Sequence, residues 1–200
     1  MITYTNIKRI DRLPFIDYMK LPGYSHSYLH QERGGIAADV MITENIRLGR
    51  LVDAILMQPD SIDYLDPLYA MSRKIAFDIT KQFGKVIKHF ISQPSYTADV
   101  QYGDFTLPVK GRPDWLLPEI NVSDLKITKS RYLKQLIEHM RYREKMWHYC
   151  KLAQVKYGYL IIYSLALGKT EVIKVDCAND HNDFWQGKIF LFGKAVNQSA

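Results

Sequence analysis

Apolar positions in the first half of the chain recur at helical spacing. Ile42, Ile46, Gly49, Asp53 and Leu56 are separated by four, three, four and three positions, which lines them along one stripe of a helix over 42–58. A second helix is predicted over 67–92, with Leu68, Met71, Ile75, Ile79, Phe83, Ile87 and Phe90 inward and Lys74, Lys81, Lys85 and Lys88 on the other face. Ser25 or Ser27 can cap a short helix upstream, before Gly34-Gly35 breaks the chain.

The period then falls to two. Residues 96–102 and 105–110 read as a hairpin turning at Gly103-Asp104, and 112–117 and 121–127 continue the sheet around Pro118. One long helix is predicted over 130–156, strands over 158–165 and 171–175, and a terminal helix over 183–196. Helices, then a run of strands, a long helix and two more strands make an α/β fold with a mixed sheet flanked by helices. At 200 residues the chain is expected to be one domain over 1–200, with its core over about 42–176.

Composition narrows the class. The chain is 47% hydrophobic, enough for a core, yet no stretch approaches the roughly 18 apolar residues of a membrane span. The opening residues lack the apolar run of a secretory signal, and Cys150 and Cys177 are too few for a disulfide framework or a four-cysteine cluster. A reduced, cytoplasmic protein is expected. A net charge of +6 and a pI near 9.1 favour a polyanionic partner.

The candidate chemistry lies in Gly111-Arg112-Pro113-Asp114 and Asp124-Leu125-Lys126. Side chains at i and i+2 of a strand share a face, so Asp124 and Lys126 project together while Ser123, Leu125 and Ile127 face away. Asp114, on the neighbouring strand, can return beside Asp124. Adjacent carboxylates repel unless a cation joins them, and Mg²⁺ or Mn²⁺ suits such oxygens. The plain alternative is a solvated strand face, since Asp-x-Lys arises by chance about once in a chain this long. Asp53 is the second clue: a carboxylate on an inward stripe needs a metal, an arginine such as Arg47 or Arg50, or several donors. His148 and Cys150 point apart on a helix and are not expected to bind zinc.

In this order the residues resemble the PD-(D/E)XK nucleases, in particular the RecB-like and RecE-type branch that includes phage recombination exonucleases. Tyr24-Ser25-His26-Ser27-Tyr28-Leu29 looks like its Ser-x-Ser-x-Leu opening, and 48–56 is similar to its Gly-x-x-x-His helix. The resemblance implies a restriction-endonuclease-like core in αβββαβ order and a Mg²⁺- or Mn²⁺-dependent deoxyribonuclease, an exonuclease in recombination or repair. It further implies Asp114, Asp124 and Lys126 as catalytic residues and Asp53, Asp114 and Asp124 as metal ligands. DNA would be contacted by Ser25, Ser27, Arg112, Lys129, Arg131, Lys145 and Tyr149, with Lys110 also flanking the site, and a single-strand annealing protein would be the partner. Three positions depart from the pattern: Asp53 replaces a histidine, Gln58 a glutamate and Lys145 a glutamine. The alternatives are a degenerate DNA- or partner-binding module on the same fold, or a defence-type endonuclease.

Overall fold

The computed structural model describes residues 2–26, 44–58, 62–178, 187 and 191–192. Ser27, the Gly34-Gly35 break and all of the expected terminal helix except Gly187, Leu191 and Phe192 lie outside them. The elements run β1 (Thr3–Ile10), α1 (Phe15–Lys20), α2 (Glu44–Met57), α3 (Tyr69–Phe83), a 3₁₀ turn (Gly84–His89), β2 (Ile91–Ser92), β3 (Ser95–Tyr102) and β4 (Phe105–Gly111). They continue with β5 (Trp115–Leu117), β6 (Asn121–Thr128), α4 (Leu133–His139), α5 (Tyr142–Ala153), β7 (Tyr157–Ser164) and β8 (Lys169–Asp176).

The strands form two sheets where the sequence suggests one. β1, β3 and β4 make an antiparallel sheet, and β2-β5-β6-β7-β8 a mixed one in which only β6 and β7 run parallel. The long connection through α4 and α5 is what parallel neighbours require. β7 is apolar on both faces because it is covered on both. Leu160 and Ile162 join Val122, Met146, Trp147 and Leu152 in one core, while Ile161 and Tyr163 join Leu48, Val52, Ile75, Ile79 and Trp115 in a second core under α2 and α3.

The helix expected over 130–156 is two helices. Arg141 takes a left-handed conformation (φ 49°), which stops the helical hydrogen-bond run between α4 and α5. The 67–92 helix likewise ends at Gly84 (φ 53°), and Met71, expected inward, is exposed. α5 packs closely on β4 at Gly111: a Cβ there would fall 2.4 Å from Leu152 Cδ1, so the buried Leu152 side chain would have to shift to admit one. No helix among the described residues is long and apolar enough to cross a membrane.

Candidate active site

β6 carries Asp124 and Lys126 out on the face that α5 covers, where Lys126 Nζ lies 5.9 Å from the centre of the Tyr142 ring. Leu125 and Ile127 turn the other way into the second core, as the period-two pattern requires. β5 pairs antiparallel with β6, placing Trp115 opposite Ser123. Asp114, just before Trp115, therefore comes toward Asp124, and its Oδ2 accepts the N–H of the next residue, Leu125, at 2.7 Å. The two strands thus converge their polar groups. Lys126 Nζ is hydrogen-bonded to the Asp124 carboxylate, stands 3.8 Å from Asp114 Oδ2, and donates to Leu125 O at 2.9 Å.

A second ammonium group meets the same carboxylate. Lys145, on α5, donates to Asp124 Oδ1 at 3.1 Å and lies over the Tyr149 ring. Asp124 is 1% exposed, and burial works to raise its pKa; Lys126 and Lys145 outweigh that and hold the carboxyl below its ordinary range. The two lysines are buried against their charge as well, yet Asp124 keeps both above the usual lysine value. Asp114 differs. It remains 29% exposed, and desolvation followed by repulsion from Asp124 pushes it up to about 7 despite Lys126.

The opposite side of the cleft belongs to α2. Asp53, on the inward stripe of that helix, accepts from Trp115 Nε1 at 2.7 Å (Oδ1) and from Gln93 Nε2 at 2.6 Å (Oδ2). Burial raises its pKa, and these two bonds hold part of the rise back. Gln93 Oε1 in turn accepts from Arg112 at 2.6 Å, and Gln93 N donates to Asp114 O at 2.7 Å. Gln93 is therefore the hinge between the two sides. Sequence reasoning misses it, the signal being only a Gln-Pro turn after a helix; the turn puts Gln93 at φ 46°.

Asp53, Gln93, Asp114, Lys126 and Lys145 line one cleft of about 590 Å³, with Arg50 and Tyr142 at its margin. The donor set suits a hard cation. Mg²⁺ is commonly held by one or two carboxylates plus water and substrate oxygens, and Asp114 beside Asp124 is a carboxylate pair whose repulsion a cation would relieve. Among the described residues no three acidic, imidazole or thiol groups form a ready metal cage. Asp53, expected as a third ligand, has both oxygens engaged by Trp115 and Gln93.

The expected nucleic-acid contacts divide. Lys145 is in the cleft, and Arg112 reaches it through Gln93. Ser25 sits between Tyr24, bridged to Val109 of β4, and the cleft-lining His26. Tyr149 is buried beneath Lys145, so its ring supports the lysine and does not face outward. Lys129 pairs with Glu44 at 2.7 Å, and Arg131 is exposed ahead of α4; neither lines the cleft. Lys110 is not a phosphate contact: it is buried and its Nζ donates to the carbonyls of Tyr18, Met19 and Leu21 at 3.4, 3.0 and 2.7 Å. Gln58 donates to Ser92 Oγ at 2.7 Å, and Gly49 is no point of close backbone approach, since a Cβ there would meet only Ile127 at 3.7 Å.

No family model matches the chain, and a search of curated proteins finds no match. Solved structures do share its shape. A candidate exonuclease from Eubacterium rectale superposes with a TM-score of 0.53 at 11% identity, over 78% of this chain and 66% of that one. An alkaline exonuclease from Laribacter hongkongensis is 10% identical over 91% of this chain and 93% of its own; at a TM-score of 0.41 that likeness bears no weight. The mixed sheet flanked by helices is therefore a fold this chain has in common with the Eubacterium rectale protein.

Proposed function

We propose that the chain is a divalent-metal-dependent nuclease that hydrolyses DNA phosphodiester bonds, working as an exonuclease of the RecB-like and RecE-type kind in recombination or repair. The observation that carries this reading is the meeting of Asp114, Asp124 and Lys126 from successive antiparallel strands, with Asp114 and Lys126 lining the cleft and Asp124 buried directly behind Lys126. The likeness to the Eubacterium rectale protein supports it through fold alone.

In this reading Asp114 and Asp124 would hold Mg²⁺ or Mn²⁺. Such an ion supplies Lewis-acid activation of water and offsets charge developing on the phosphate. Lys126, between the two carboxylates, orients the attacking water and stabilises the pentacovalent phosphate. Asp53 fixes Gln93, and Gln93 aims Arg112 at the strand backbone. Lys145 brings a second positive charge to the same spot.

One observation favours a different reading. Lys126 and Lys145 together already neutralise Asp124, so an ion must compete with an ammonium group for that carboxylate. A non-catalytic DNA-binding module would carry that arrangement at no cost to its function.

The two readings separate on end-labelled linear duplex and closed circular plasmid, each with Mg²⁺, Mn²⁺ or EDTA, beside Asp124→Ala and Lys126→Ala variants. Loss of label from the linear duplex alone, abolished by EDTA and by either substitution, is the expected result. DNA binding with no cleavage under either metal would select the binding module. Cleavage of the closed circle would select an endonuclease.

A further inference from the structure

One feature beside the cleft takes no part in the chemistry above. α1 presents Phe15, Ile16 and Met19 to solvent, with 54%, 65% and 48% of their surfaces exposed. Three half-exposed apolar side chains on a six-residue helix leave a clustered apolar surface that another molecule can cover. Their position restricts what that molecule is. The Arg50 guanidinium stands 5.6 Å from the centre of the Phe15 ring, and that of Arg112 stands 5.8 Å from it. Arg50 lines the cleft, and Arg112 is the residue that Gln93 holds toward it. The fourth side of α1, Tyr18, is buried, and the carbonyls of Tyr18, Met19 and Leu21 are fastened to β4 by Lys110. The ridge is thus a fixed apolar lip whose Phe15 ring meets two guanidinium groups.

Apolar and aromatic surface alternating with arginine, leading to a phosphate-handling cleft, matches a nucleic-acid strand whose bases are not already paired. Bases stack on side chains and phosphates pair with guanidinium groups. A blunt duplex offers a free base face only at its terminal pair, whereas every base of a single strand can stack. We infer that the Phe15–Ile16–Met19 ridge is a nucleobase-stacking site, and that it gives the cleft a preference for single-stranded or frayed DNA ends. This rests on the nuclease reading above and specifies its substrate.

The test is fluorescence anisotropy in EDTA, with a labelled single-stranded DNA oligonucleotide and a blunt duplex of equal length, so that binding is read without cleavage. Phe15→Ala is expected to weaken single-strand binding about tenfold, within the range of one stacked base, while duplex binding stays within about twofold. Phe15→Trp should restore the single-strand affinity, because the larger ring keeps the stacking face. Thermal denaturation of both variants excludes a folding defect. Equal losses on both DNAs, or no loss on either, would overturn the stacking site while leaving nuclease activity to be judged on its own assay. If the unaltered protein binds neither DNA and cleaves nothing, the nuclease reading fails and the ridge proposal falls with it.

Discussion

The two walls of the cleft handle buried carboxylates in opposite ways. On the β6–α5 side Asp124 is met by ammonium groups, Lys126 and Lys145, which line the cleft and are partly exposed to it. On the α2 side Asp53 is met by an indole N–H and an amide, both anchored: Trp115 is wholly buried and Gln93 is bonded through both the nitrogen and the oxygen of its amide. A charge balanced by lysines can exchange one cation for another. A charge balanced by fixed donors holds its neighbours in place. The cleft therefore has a wall suited to chemistry and a wall suited to geometry.

The sharpest way to break this contrast is to remove one charge from each wall. Asp124→Asn should lower the rate of DNA cleavage by about a thousandfold, whereas Asp53→Asn, which keeps an oxygen for Trp115, should cost about tenfold or less. Equal losses in single-turnover assays would make Asp53 a direct ligand. Stability should invert the order. Asp53→Ala leaves the Trp115 N–H buried without its acceptor and should cost about 3 kcal/mol in urea denaturation, while Asp114→Asn removes repulsion from Asp124 and should change little.

A third prediction separates the walls by pH. His148, on α5 one turn from Lys145, accepts from Tyr4 Oη through Nδ1 at 2.8 Å and faces the Lys110 carbonyl through Nε2 at 3.3 Å. Burial lowers its pKa to about 4. The folded state thus keeps the imidazole neutral where the unfolded chain, titrating near 6.5, takes up a proton. The stability this contributes is complete above about pH 6.5 and is lost as pH falls toward 4, amounting to about 2 kcal/mol between pH 7 and 5. Hydrogen exchange should show α5 loosening before α2 over that range, and His148→Gln should flatten the dependence. The smallest effect tests the exchange of cations directly. Lys145→Gln should tighten Mn²⁺ binding about tenfold by calorimetry, a change of roughly 1.4 kcal/mol; unchanged affinity would mean that Lys145 does not compete.

What the sequence reveals of this site follows from how local each feature is. Asp124 and Lys126 are legible because strand alternation alone puts them on one face, and Asp114 because the next strand must return beside them. Asp53 stands out as a carboxylate on an apolar stripe, although its partners do not. Trp115 and Gln93 come from 62 and 40 residues away, and no spacing rule joins them to Asp53. The split into two sheets is hidden for a related reason: Arg112–Asp114 has an extended pattern, and nothing in it shows where ladder bonds between β4 and β5 are absent. β1 is missed because a bulge between Thr5 and Lys8 breaks its alternation, so that Tyr4 and Ile7 both pack on the core at a spacing of three, and α1 because its one signal is Pro14 at the helix start. The break at Arg141 is illegible outright, a non-glycine residue in a left-handed turn within a helical pattern.

The attachment of α1 by Lys110 has a consequence for how the molecule assembles. α1 is too short to persist alone, and the ammonium group that ties its last carbonyls lies about 90 residues further along the chain, in the second strand of a hairpin. Closing so long a loop is slow relative to local structure. The lip of the cleft should therefore dock after the β3–β4 hairpin has formed and be the first part to release under denaturant, so that pulse-labelled amides of residues 15–21 gain protection later than those of β3. A chain caught at that stage would have its carboxylates and lysines assembled and its stacking ridge still undocked.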